Sequence, residues 1–186
     1  YRSGEITYAG TWGIITNGLT TIHDFQVTKP ALGAIDAAYG SKVYLKGGRI
    51  EDSRYMGIHV EANAYMEVTG NPVIDGTMHN AFRNRGELNI YGGTFTNIGN
   101  YVVTNHGKLL IENRDSETGY IEAKTVRQGL FYNNDTATTV VKDVHITDMG
   151  LDGCKIAGGV ATIENCKLDT TKGHGIYMSG GELTVK

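Results

Sequence analysis

Four residues near the end of this chain have the side-chain types that sugar-cleaving chemistry uses. Gly173-His174-Gly175 displays an imidazole on a tight turn, and Asp152 stands 22 residues earlier. Lys155 follows Asp152 by three residues, and Tyr177 follows His174 by three. Cleavage of a glycosidic bond needs one carboxyl group as acid and a second to attack or to activate water. Asp152 is followed by Gly153, so a single carboxylate stands where two are required. Asp152, Lys155, His174 and Tyr177 are therefore the candidate catalytic cluster if the chain is an enzyme, and that cluster is incomplete. The same residues also read as plain architecture. Gly-X-Gly is a tight turn, and His174 occupies a variable position shared with Met56, Asn80, Tyr101 and Asp152.

Two further groups invite a chemical reading. Asp52 and Asp75 fall at equivalent places of neighbouring repeats, followed by Asn97 and Asp148. Carboxylates stacked about 4.8 Å apart repel unless solvated or bridged by a cation, and clustered hard oxygens suit Ca2+. Asp52 and Asp75 are the candidate calcium ligands, and solvated turn acids are the simpler reading. The second group is a row of outward positions, Asp36, His59, Arg83, Thr104, Lys155 and Tyr177. Arg83 and Lys155 can meet carboxylates, the arginine as a planar fork. Tyr177 can stack on a sugar ring. His59, Arg83, Lys155 and Tyr177 are thus the expected glycan contacts on a shallow face, which an ordinary solvated surface would also resemble.

These positions gain meaning only from the elements that hold them. Residues 141–159 align without a gap on residues 163–181, a 22-residue repeat. Its anchor runs through Ile22, Leu45, Val68, Ile90, Ile111, Val141, Ile163 and Val185, at spacings of 23, 23, 22, 21, 30, 22 and 22. The long interval holds a polar insertion at 112–120, expected to protrude as a loop. Each repeat carries three short apolar patches: one ending at the anchor, one three and five residues later, one about eight residues further on. Their inward residues are two apart, which is strand alternation and not helix spacing. For the second patch of the repeat at Val68 this assigns Asn71 and Val73. In the third patch Asn84 and Asn105 point inward at equivalent positions, a structural ladder that Asn133 joins if its coil shifts by one residue. A unit of this size buries its apolar residues only by stacking on copies of itself. The expectation is an all-β, single-stranded parallel β-helix, a solenoid of about seven coils of 21–23 residues in three sheets.

The segments GIHVEANAYMEVTG (57–70), YGGTFTN (91–97) and GIYMSGGELTV (175–185) resemble the parallel β-helix repeats of the pectin-lyase-like superfamily, across nearly the whole chain. The resemblance implies right-handed coiling, in line with the general preference of parallel crossovers. It also implies a range of activities that fold alone does not separate: polysaccharide lyases, polygalacturonases, tailspikes and adhesins. Polygalacturonases carry Asn-Thr-Asp, Asp-Asp, Gly-His-Gly and Arg-Ile-Lys on successive coils. Only the Gly-His-Gly element is matched here, at 173–175, and the arginine base of pectate lyases is not found.

Composition narrows the field. The chain has 186 residues, a net charge of −3 and no basic run, which argues against a nucleic-acid ligand. No apolar stretch approaches the roughly 18 residues of a membrane span. The cysteines Cys154 and Cys166 take inward positions as small hydrophobes and are expected to be free thiols. The chain starts at Tyr1 and ends at Lys186 after a strand-like segment, and reads as a single β-helix domain (1–186) cut from a longer protein. Its open ends would then be covered by flanking coils or other chains. The expected function is a binding module of a secreted or surface bacterial protein, of adhesin or passenger type, that contacts polysaccharide along one lateral face. Ca2+ is the only cofactor with any support. A polysaccharide lyase or hydrolase is the alternative, and a spacer without ligand is a third.

Overall fold

The computed structural model describes residues 2–114, 121–134, 136–170 and 172–186. Among them there is no helix, and every strand pairing is parallel. No helix is long and apolar enough to cross a membrane. The chain coils into a β-solenoid of about eight turns, since the column of short strands from Trp12–Thr16 to Ile176–Met178 contains eight. That is one turn more than the anchor spacing suggested, because the segment before Ile22 completes a coil of its own.

The anchor register holds along the whole chain. Ile22 pairs with Leu45, Leu45 with Val68, Val68 with Ile90, and Ile90 with Ile111. Ile111 then pairs with Val141 across the 30-residue interval, Val141 with Ile163, and Ile163 with Val185. Each inward side chain therefore lies on its counterpart one strand spacing away, about 4.8 Å. Leu45, Val68 and Ile90 are fully buried, and each such burial contributes roughly 2 kcal/mol.

Three columns of strands exist, but hydrogen bonding joins them into two sheets, not three. The strand Leu19–Thr28 runs unbroken for ten residues through the corner between the first two columns. Its first half pairs with Lys42–Lys46 and its second half with Arg49–Ser53, which merges those columns into one 15-stranded sheet. Later coils break at this corner. At Gly48 the backbone has φ of 101°, and a β-carbon there would sit 2.2 Å from the Phe25 ring, so glycine both permits the bend and leaves room for the aromatic side chain.

The second corner repeats one device. Lys29, Asp52, Gly76, Asn97, Thr125 and Asp148 all have positive φ, and each stands two residues after an inward residue of the second column. Those inward residues are Val27, Ile50, Ile74, Phe95, Ala123 and Ile146. The left-handed conformation turns the chain toward the third column, and Asp, Asn and Gly tolerate it best.

This register corrects two expectations. In the coil after Val68 the buried residue is Ile74, not Val73, because the Pro72 segment adds one residue between anchor and second patch. For the same reason Asp75 does not stack on Asp52. Asp75 pairs with Glu51 and Thr96, while Asp52 lies beside Gly76.

The asparagine ladder is present and three residues long. Asn84, Asn105 and Asn133 are completely buried. Asn84 Nδ2 donates to Asn105 Oδ1 at 2.8 Å, and Asn105 Nδ2 to Asn133 Oδ1 at 3.2 Å. Thr139 Oγ1 closes the row on Asn133 Oδ1 at 2.7 Å. Both cysteines are free thiols, with Cys154 buried and Cys166 half-buried. Of the insertion at 112–120, Glu112 ends the strand Lys108–Glu112, and the Arg114 guanidinium lies 3.6 Å from the Tyr91 ring centre. Residues 115–120 fall outside the described residues.

Candidate ligand-binding groove

The third column places one side chain per coil on its outer face. Register fixes the row as Ile15, Asp36, His59, Arg83, Thr104, Tyr132, Lys155 and Tyr177. Beside it runs the corner row that precedes each short strand, including Met56, Asn80, Tyr101, Asp152 and His174. Backbone bonds such as Gly57 N–H to the Asn80 carbonyl and Gly153 N–H to the His174 carbonyl hold this corner row in step.

Between the two rows lies a groove of about 350 Å³. Arg83, Thr104, Tyr132 and Lys155 form one wall, and Met56, Asn80 and Tyr101 the other, with Tyr55, Asn100 and His106 at the rim. The Tyr101 and Tyr132 rings stack at 5.7 Å between centres and 28° between planes. Lys155 Nζ lies over both flanking rings, 5.5 Å from Tyr132 and 5.7 Å from Tyr177. Burial pushes the Tyr101 hydroxyl up to about 12, helped by the Asp152 charge, so the phenol stays neutral and can donate a hydrogen bond. The Asn80 side-chain oxygen is buried with no hydrogen-bond partner among the described residues. A buried amide in that state is costly. A larger hollow of about 550 Å³ opens at the first coil, but it is walled by Ile6, Ile14 and Ile22 and is the apolar face of a coil layer.

At one end of the groove stands the candidate catalytic cluster, and its members do meet. His174 Nδ1 lies 2.9 Å from Asp152 Oδ1, and the His174 backbone N–H donates to the same oxygen at 3.1 Å. The His174 and Tyr177 rings are 5.7 Å apart. Burial raises the Asp152 carboxyl, but the two bonds from His174, with the charges of His174 and Lys155, outweigh it and hold the group below its ordinary range. This arrangement orients the imidazole and leaves it largely open to solvent. It can present one base, and among the described residues no second carboxylate is paired with it.

The expected glycan contacts divide. Arg83 and Lys155 line the groove, and Tyr177 continues its wall. His59 does not line it. Its ring is buried beneath Trp12 and faces Asp36 and Glu61 instead. The expected calcium pair is separated by register, and Asp75 is already engaged: Thr96 Oγ1 and Asn97 Nδ2 donate to its Oδ1 at 2.8 and 2.7 Å. Tyr132 and Tyr101 were missed as a stacked pair. The 30-residue interval left the register around Gly129 open by one, and the signal that settles it is Asn133, which must face inward to join the ladder. Gly129 itself is required by close packing, since a β-carbon there would lie 1.7 Å from the Asp152 carbonyl oxygen.

No family model, no curated protein and no solved structure matches this chain.

Proposed function

We propose that this chain is a glycan-binding module that holds a polysaccharide strand along the outer face of its short-strand column. The observation that carries this reading is the groove lined by Arg83 and Lys155 together with the stacked Tyr101 and Tyr132 rings. Aromatic faces pack against sugar rings, and their polar edges hydrogen-bond to hydroxyls. Arg83 and Lys155 stand three strand spacings apart, about 14 Å, which suits charges repeated along an acidic polymer. Its lining residues Arg83, Thr104, Tyr132 and Lys155 follow one another along the solenoid axis, the direction in which a polymer would lie. A secreted or surface-exposed protein of adhesin type, with its open coil layers covered by neighbouring coils or chains, belongs to the same proposal, as does the pectin-lyase-like resemblance.

A glycan array spanning neutral and acidic polysaccharides tests it. Binding is expected to favour carboxylated or sulfated glycans, and Arg83→Ala with Lys155→Ala should abolish it. Absence of binding across the array would leave the spacer reading in place. A second reading, polysaccharide cleavage, draws support from the Asp152–His174 hydrogen bond. Release of unsaturated or reducing ends from the bound glycans, lost in His174→Ala, would select it over binding alone.

A further inference from the structure

We propose that Asp36, His59 and Glu61 form a divalent transition-metal site, of the class that takes Zn2+, on the outer face of the coil next to the groove. Asp36 and His59 are direct neighbours across the pairing of Gly33–Ala37 with Ile58–Val60. Glu61 stands two residues after His59, the spacing that returns a side chain to the same face. Their ligand atoms all lie within 4.8 Å of one another.

The distances match the spacing of ligands around a small ion. His59 Nδ1 is 3.3 Å from Asp36 Oδ1 and 3.5 Å from Glu61 Oε1. A tetrahedral ion with bonds of about 2.0–2.1 Å holds its ligands roughly 3.3–3.4 Å apart. Despite the short approach, Asp36 Oδ1 has no aligned hydrogen-bond donor, and it is buried. His59 is only 8% exposed and its Nε2 is likewise buried without a partner. The site thus places the Nδ1 of a buried imidazole within 3.5 Å of two carboxylates.

The charges agree. Burial holds the His59 ring below its ordinary range; the carboxylates of Glu61 and Asp36 oppose this, and Arg83 and Arg85 add to it. A metal ligand at this position would be the neutral ring. Two carboxylates and a neutral imidazole carry −2, which one divalent cation cancels. The nitrogen ligand and the count of three disfavour Ca2+, which takes six to eight oxygens, and favour Zn2+ or a similar ion. Trp12 stacks over the imidazole at 6.0 Å and 16°, which fixes its orientation. Arg83 and Arg85 are the cations that a bound metal must tolerate, and they limit its affinity.

Chelator-treated full chain titrated with ZnCl2 by calorimetry tests the site without reference to any glycan. One Zn2+ per chain is expected, with no comparable uptake from CaCl2, and with Co2+ giving the intense visible bands of a tetrahedral ion. His59→Gln, Asp36→Asn and Glu61→Gln should each weaken Zn2+ binding by about ten-fold or more. Glu61 lies at the rim with a third of its side chain exposed, so Glu61→Gln decides the matter if a buried variant fails to fold. No uptake by the wild-type chain, or uptake unchanged in Glu61→Gln, would overturn the assignment.

Discussion

Asn84 donates its side-chain amide to the side-chain oxygen of Asn105 at 2.8 Å, with both residues fully buried. The bond runs along the solenoid axis and links two coils whose cores are otherwise mostly apolar. Asn105 Oδ1 also accepts from the Gly107 N–H, and its amide reaches the Thr138 carbonyl, so one side chain serves three levels of the stack. Asn105→Ala should lower stability by about 3 kcal/mol, since several buried groups lose partners at once. Urea denaturation measures it, with the transition slope unchanged. A loss under about 1 kcal/mol would mean that the ladder is incidental.

The second column offers a sharper test of register. Ile74 is fully buried and pairs with Ile50 and Phe95, whereas Val73 is half-buried. Ile74→Ala should cost about 3 kcal/mol and Val73→Ala under about 1 kcal/mol. The reverse order would restore the spacing read from the repeat alone.

Gly129 tests the coil that joins groove and corner. Gly129→Ala places a methyl group against the Asp152 carbonyl and should cost about 3 kcal/mol by forcing backbone apart. Gly10→Ala, where a β-carbon meets nothing within 4 Å, should change stability by less than about 0.5 kcal/mol. Thermal melts of the two variants compare them directly.

The Asp152–His174 pair carries a pH signature. The Asp152 carboxyl is depressed below its unfolded value of 3.8 in the folded chain. Its contribution is therefore fully present above that value and is lost as pH falls through the lower, folded one. The melting-temperature gap between wild type and Asp152→Asn should be present in mild acid and shrink as pH drops below 3.8. A gap that widens on acidification would contradict the hydrogen bonds drawn here.

Anchor residues were legible because each must be apolar and each repeats near 22. Leu45, Val68 and Ile90 announce their stacking through spacing alone. The corners were less legible, since their constraint is conformational. Asp52, Gly76, Asn97 and Asp148 share a left-handed backbone, and Asp75 mimics that pattern one residue early because both Asp and Gly suit it. The polar face was legible as a row, not as a site. Arg83 and Lys155 were visible in sequence, but the stacking of Tyr101 on Tyr132 depends on a register that the insertion hides. His59 stands in the outward row as read but outside the groove lining, because alternation gives the side of a sheet and not the neighbours that then bury the ring.

Chemical-shift mapping of the isotopically labelled chain during titration with an acidic oligosaccharide bears on the groove itself. Shifts should concentrate at Arg83, Thr104, Tyr132 and Lys155, saturate together, and vanish in the Arg83→Ala, Lys155→Ala double variant. Saturable shifts confined to the outer faces of the other two columns, or none at any attainable concentration, would contradict a glycan site on the short-strand face.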